Sequence, residues 1–242
     1  MVKRGGGAKD SIAGRSLTRQ TVVRVKTAKR RTAASTQWLA RQLNDPYVGE
    51  AKRQGYRSRA AFKLLQLDDR FHLLRPGRRV LDLGCAPGGW TQVAVERVSP
   101  GNGRPGEGRI IGIDILAMDP VPGATIIELD FLARTAPERL KALLAGPADL
   151  VLSDMAAPTT GHASTDHIRI VALAEAAFEF AREVLAQEGS FLCKVFQGGA
   201  EGDLLAALKH DFKTVRHAKP PASRAESAEV YVVAMGFRGR SS

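Results

Sequence analysis

The sequence predicts an α/β fold built on a largely parallel sheet. Three observations carry that expectation. Short apolar runs rich in Val, Ile and Leu recur after the Pro76-Gly77 turn, stretches of helical spacing separate them, and the first run passes directly into a glycine-rich turn that opens a helix. Apolar runs without alternation mark strands covered on both faces, as parallel sheets are.

The elements follow in chain order. Residues 1–33 combine Gly, Lys, Arg, Ser and Thr with few large apolar side chains, too little burial to offset ordering entropy, so a disordered basic arm is expected. Trp38, Leu39 and Leu43 then share a helical face, and Ser58 to Leu65 continues with helical spacing through Leu67 and Phe71. This predicts two N-terminal helices within 34–75. The α/β core is expected over 76–238, with strands at 79–83, 110–114, 125–129, 150–153, 190–196, 214–218 and 230–235 and helices between them. The longest helix is expected from about Asp166 to Gln187, placing Ile170, Leu173, Ala177, Phe178, Ala181, Val184 and Leu185 on one face, with Gly189 as its stop. No long crossover separates the last two strands, which predicts an antiparallel pair at the sheet edge joined by a loop over 220–228. The segment SPGNGRPGEG at 99–108 reads as a flexible loop.

At 242 residues the chain suits one substantial domain with accessories, and 44% hydrophobic with 25% charged residues is ordinary globular composition. The formal net charge of +11 is not ordinary. Residues 1–31 contribute +9, residues 32–75 contribute +4 and residues 76–242 contribute −2. A polyanionic partner is therefore expected at the N-terminal third, beside a near-neutral domain. The two cysteines, Cys85 and Cys193, lie in apolar runs and offer no disulfide framework. No stretch approaches the roughly 20 apolar residues a bilayer span needs. A cytoplasmic protein is expected, with an Arg-rich mitochondrial presequence as the alternative.

The segment VLDLGCAPGGW at 80–90 is a buried strand running into a glycine turn, where missing Cβ atoms let a ligand approach the backbone. It departs from the dinucleotide fingerprint: Ala86 stands two after Gly84, and Pro87 removes an N–H where a pyrophosphate would be held. Asp114 ends the second strand, where a carboxylate can accept both hydroxyls of a ribose, and Asp130 ends the third, within reach of an adenine amine. Each also has the plain reading of a cap or loop acid. Together they describe a nucleoside site without phosphate clamps, which suits S-adenosylmethionine, and Trp90 is placed to line it.

On these residues, and on SRAAFKL at 58–64, SDMAAP at 153–158, KVFQG at 194–198 and SRAESAEVYVVA at 223–234, the chain resembles the FtsJ/RlmE family of ribosomal RNA ribose 2′-O-methyltransferases over roughly residues 35–236. The resemblance implies a Rossmann-like methyltransferase fold with a seven-stranded, mostly parallel sheet whose final strand is antiparallel. It implies S-adenosylmethionine as cofactor, held by Gly88, Trp90, Asp114, Asp130 and Asp154. It places a Lys-Asp-Lys-Glu tetrad on Lys63, Asp154, Lys194 and Glu229; Glu229 is preferred to Glu226 because it directly precedes Val230-Tyr231. It also implies large-subunit ribosomal RNA as substrate, a uridine of the A loop, within an assembled or assembling particle, by a monomer without a membrane partner.

A ribose hydroxyl is a poor nucleophile at neutral pH, so transfer requires positioning and removal of a proton. Lys194 reads as the base, because Cys193-Lys194-Val195-Phe196 sets a charge in a buried-strand pattern where it is costly unless paired. Lys63 would supply a second positive charge beside it, Asp154 would orient the lysine and face the methyl donor, and Glu229 would orient the second lysine or the ribose. An exocyclic-amine methyltransferase would place a Pro-Pro-aromatic cluster where this chain has Asp154-Met155-Ala156-Ala157-Pro158, and a carbon-5 pyrimidine enzyme would require an exposed cysteine. The five histidines are scattered and no metal is expected. Arg57 and Arg59, with Tyr56 as a stacking ring, are expected to hold RNA, so that neutralising the two arginines lowers affinity and its salt dependence. The competing readings are a non-catalytic RNA-binding assembly factor, and a same-family enzyme acting on transfer RNA or messenger RNA caps.

Overall fold

The computed structural model describes residues 23–24, 27, 30, 32–99, 108–158, 160–197 and 202–239. Most of the arm expected over 1–33, the interior of the 99–108 loop, the Trp38 side chain and Gly198 of the KVFQG motif lie outside the described residues. The chain divides into two units, Met1–Glu50 and Ala51–Ser242.

Among the described residues three helices precede the sheet, where two were expected. Helix α1 (Ala33–Leu43) is opened by Thr32, whose hydroxyl accepts the Ser35 N–H at 3.2 Å, and is closed by Asn44. The additional helix is α2 (Pro46–Gln54). Its start was written in Asp45-Pro46: the Asp45 carboxylate accepts the Tyr47 N–H at 3.1 Å, and proline occupies the first helical position, where its missing N–H costs nothing. Helix α3 (Ala60–Phe71) buries Ala61, Phe62, Leu64, Leu65 and Leu67, each large side chain contributing about 1.5–3 kcal/mol. Lys63 and Gln66 are left half-buried on its remaining face.

Seven strands follow: β1 (Arg79–Leu83), β2 (Arg109–Asp114), β3 (Thr125–Glu128), β4 (Ala148–Ser153), β5 (Leu185–Phe196), β6 (Phe212–Ala218) and β7 (Glu229–Phe237). They are interleaved with α4 (Gly89–Val98), α5 (Ala136–Leu144), α6 (Ala163–Val184) and α7 (Gly202–Asp211). The sheet order is β3-β2-β1-β4-β5-β7-β6, parallel from β3 to β5, with β7 antiparallel to both β5 and β6. The expected seven-stranded, mostly parallel sheet is therefore present. The antiparallel pair takes a particular form: β7 returns between β5 and β6, so β6 rather than β7 forms the edge on that side, and it carries exposed Lys213 and Arg216, charges that discourage edge pairing.

The end of α6 differs from expectation. The helix stops at Val184, because Leu185 turns extended (φ −69°, ψ 137°) and pairs with Ala148. The chain then loops out over 186–189, with Glu188 at φ 65°, and re-enters the ladder where Ser190 pairs with Leu150. Gly189 serves this return rather than a helix stop, since a Cβ there would lie 2.8 Å from the Ala186 carbonyl.

Alternation along the strands sorts side chains between the two layers. Leu81, Leu83, Ile113, Val151, Phe191, Cys193 and Val232 join the apolar cluster that also takes Phe178 and Ala181 of α6 and Leu204 and Leu208 of α7. The intervening positions face α3 and α4: Asp82 meets Thr91, and Tyr231 meets Trp90 and Lys63. At the C-terminal ends of the central strands, Leu83 pairs with Ser153, and the Asp154 N–H donates to the Leu83 carbonyl at 3.2 Å. The Gly84 turn and Asp154 thus meet at the point where successive crossovers leave in opposite directions, the place open α/β sheets hold ligands.

Candidate active site

The glycine turn and the acidic strand ends enclose a cavity of about 730 Å³. Its walls include Gly84, Ala86, Ile113, Leu129, Phe131 and Met155, together with the carboxylates of Asp114, Asp130 and Asp154. Glycine is required at 84, where φ is 78° and a Cβ would lie 2.8–3.0 Å from Met155. Asp114 ties the site together, accepting the Ala86 N–H on one oxygen and the Leu116 N–H on the other, each at 2.9 Å. A carboxylate oxygen accepts two hydrogen bonds, so each retains capacity for a ligand hydroxyl. Asp130 accepts the Leu132 N–H at 2.9 Å. Apolar walls with three carboxylates suit a nucleoside carrying sulfonium and ammonium charges, and the lining residues fit S-adenosylmethionine on that ground.

Gly88 and Trp90, expected at the cofactor, are not among the lining residues. Gly88 caps α4 at φ 111°. Trp90 is buried, its indole N–H donates to the Ala60 carbonyl at 2.8 Å, and its ring packs against Tyr231 at 5.6 Å between centroids.

The four residues expected to act together are assembled by β4, β5, β7 and α3. The β5–β7 register sets Lys194 opposite Tyr231 and Phe196 opposite Glu229, so Lys194, Tyr231 and Glu229 share one face. The Lys194 Nζ donates to the Asp154 carbonyl at 2.7 Å and lies 3.1 Å from its Oδ1, with the lysine side chain 7% exposed. The Lys63 Nζ lies 2.7 Å from Glu229 Oε1 and 2.9 Å from Oε2. Glu229 is further held by the Ser223 hydroxyl at 2.9 Å, whereas Glu226 is exposed. Each lysine therefore has its own carboxylate. The two pairs are joined through a third group.

That group is Tyr231, which the sequence reading passed over. Its hydroxyl donates to Asp154 Oδ1 at 2.9 Å and accepts from Lys63 Nζ at 3.2 Å. Complete burial, reinforced by the charges of Asp154 and Glu229, holds the phenol well above its ordinary pKa, so it stays a donor. The available signal was period-two spacing from Glu229 in a buried strand, which sets the Tyr231 hydroxyl on the same face as that carboxylate. Tyr231→Phe should lower unfolding free energy by about 1–2 kcal/mol in urea titration, the cost of removing two hydrogen bonds to partly buried charged groups. An unchanged midpoint would show the bridge to be dispensable.

The arginines expected to hold RNA are anchored within the protein. Arg57 is exposed, yet its guanidinium donates to the carbonyls of Asp119 at 2.6 Å, Pro120 at 2.7 Å and Pro87 at 3.3 Å. Arg59 donates to the Ala222 carbonyl. Tyr56 is half-buried, its hydroxyl donating to Glu96 at 2.7 Å and its ring edge-on to Phe62. Cys85 and Cys193 are buried, and burial pushes the Cys85 thiol up, away from nucleophilic use. Among the described residues no group of three potential ligands could hold a metal ion, and no helix is long and apolar enough to cross a membrane.

Comparison with known proteins bears on this arrangement. The chain is 66% identical over 223 residues to a ribosomal RNA large subunit methyltransferase E of Paramagnetospirillum magneticum, covering 92% of this chain and 91% of that one. It is 62% identical over 239 residues to the protein of the same name in Parvibaculum lavamentivorans, covering 97% and 94%. A solved structure from Plasmodium falciparum, described as a ribosomal RNA methyltransferase, superposes with a TM-score of 0.67 at 33% identity, covering 76% of this chain and all of that one. The description of FtsJ-like methyltransferases matches residues 56–237, the span that holds both the cavity and the Lys63–Tyr231–Asp154–Lys194 network. The chain belongs to the FtsJ-like methyltransferase family.

Proposed function

We propose that this protein transfers a methyl group to a ribose 2′-hydroxyl of large-subunit ribosomal RNA, at a uridine of the A loop, with Lys194 removing the hydroxyl proton. The observation that carries the reading is the position of Asp154, which lines the cavity and also holds Lys194 through its carbonyl and its carboxylate. S-adenosylmethionine, the methyl donor of FtsJ-like methyltransferases, supplies an electrophilic methyl on a sulfonium.

The remaining chemistry falls to the chain. A neutral lysine amine keeps two N–H donors, enough for the two Asp154 oxygens, and one lone pair for the hydroxyl proton. Asp154 orients that amine, and Tyr231 fixes Asp154 from the other side. Lys63 and Glu229, paired at 2.7 Å, bound the site where the ribose would lie, with Asp114 and Asp130 on the cofactor side. Holding nucleophile and donor in line is where most of the barrier reduction arises, on the order of 7 kcal/mol or more. The particle is the expected substrate; the charge of the N-terminal third attracts it, and Arg57, Arg59 and Tyr56 are assigned to RNA. The relatives named for large-subunit RNA support the substrate class.

The test is to incubate the protein with labelled S-adenosylmethionine and unmethylated large subunits, then map ribose methylation. One 2′-O-methyluridine in the A loop is expected. Label on a base, or on transfer RNA instead of the subunit, would overturn the assignment.

A further inference from the structure

Helix α3 presents three polar side chains on one face, Arg59 at its N-cap, Lys63 and Gln66, spaced i, i+4 and i+7. The central one reaches Glu229. The outer two both reach a single residue of the segment that leads into Glu229: Gln66 Oε1 accepts the Ala222 N–H at 2.7 Å, and Arg59 donates to the Ala222 carbonyl. Ala222 is fully buried and lies outside the sheet, so neither backbone group is paired in the strand ladder, and an unpaired one would cost desolvation free energy. The helix supplies both partners.

The rest of the segment is organised around the same point. Lys219 Nζ donates to the Ala225 carbonyl at 3.0 Å and the Ser227 carbonyl at 2.6 Å, bridging the turn on its exposed side. Ser223, next to Ala222, donates to Glu229 Oε1, and Ser227 Oγ accepts the Glu229 N–H at 3.1 Å. Glu229 is thus placed from two directions: by its own strand, and by a loop whose height above α3 is set at Ala222.

We propose that Arg59 and Gln66 are positioning residues, clamping both backbone groups of Ala222 to α3 so that Ser223 and Glu229 are delivered to Lys63 in register. The role of the pair in transfer rests on the function proposed above. The clamp itself does not. It assigns Arg59 a specific task beyond its charge: a guanidinium reaching a carbonyl across the loop while Lys63, one turn along, engages the carboxylate that the loop supports.

Gln66→Met keeps length and removes the acceptor, whereas Gln66→Glu keeps an acceptor for the Ala222 N–H. Amide exchange at Ala222, read by NMR, should accelerate at least tenfold in Gln66→Met and remain near wild type in Gln66→Glu, on the order expected for loss of one buried hydrogen bond. In single-turnover assays on large subunits, Gln66→Met should lower the transfer rate roughly tenfold with KM for the particle within about twofold, and Gln66→Glu should restore it, a split that a mere loss of RNA affinity does not produce. Faster exchange with wild-type transfer in Gln66→Met would overturn the positioning role. Equal exchange in all three proteins would overturn the clamp. If the wild-type protein transfers no methyl to the particle, the functional reading fails and the positioning role with it, while exchange at Ala222 still reports whether the clamp exists.

Discussion

Lys194→Met should reduce single-turnover methyl transfer about 10³-fold while leaving S-adenosylmethionine affinity equal to or tighter than wild type. The two halves of that result have separate physical origins. Lys194 is 7% exposed and absent from the cavity lining, so removing its amine withdraws the proton acceptor without opening the wall. Asp154 then keeps the Tyr231 hydroxyl but loses an N–H donor, which leaves its carboxylate freer to face a cavity built for a positively charged ligand. Calorimetric titration of the cofactor beside labelled transfer to large subunits reads both quantities. Undiminished transfer would remove Lys194 from the role of base, and parallel loss of binding and transfer would make it a support of the cavity instead.

A second large effect is expected at Asp82, in stability rather than activity. Its carboxyl is fully buried behind the glycine turn, with Thr91 donating to Oδ2 at 2.7 Å and Oδ1 without a hydrogen-bond partner. Burial pushes its pKa up to about 7; the charges of Asp154 and Asp114 add to the rise, and the Thr91 hydrogen bond opposes it. The folded state therefore holds a proton that the unfolded chain has already released between about pH 4 and pH 7, and stability must fall as pH rises through that window. Asp82→Asn keeps an acceptor for Thr91 and has no proton to lose. It should match wild type near pH 4 and exceed it by about 4 kcal/mol at pH 8, where the full shift has been expressed. Urea unfolding at a series of pH values provides the comparison, and a difference that stays constant from pH 5 to 8 would show that Asp82 does not titrate there.

Much of the site was legible in the sequence because short motifs fix local backbone. VLDLGCAPGGW announces a strand, a close turn and a helix within eleven residues, and the acids at the ends of β2, β3 and β4 follow from where parallel strands stop. Helix α2 was missed although its Asp45-Pro46 start was visible, since a nine-residue helix offers little periodicity. The tail of α6 was misplaced because Leu185, Ala186 and Gln187 continue the helical pattern. Only the partner strand, through Ala148, draws Leu185 into the sheet.

The anchoring of Arg57 and Arg59 was invisible for a similar reason. A basic residue near an aromatic reads as a surface for phosphates, and nothing local reveals that the carbonyls of Asp119, Pro120 and Ala222 lie within reach. A guanidinium has five N–H donors, so one held by backbone carbonyls keeps others for a phosphate.

By itself the sequence determined the fold class, the position of the cavity and the donor it takes, because the glycine turn and the acids are tied to strand ends whose geometry is set within a few residues, while the grouping of Lys63, Asp154, Lys194 and Glu229 came from the family resemblance. Tertiary structure alone decided how those four are wired: that β7 inserts beside β5 in a register setting Tyr231 against Lys194, that each lysine takes a separate carboxylate, and that α3 reaches over to hold Ala222. These are contacts between residues as far as 168 positions apart, such as Lys63 with Tyr231. Their energies depend on burial and distance, and neither exists until the chain has closed.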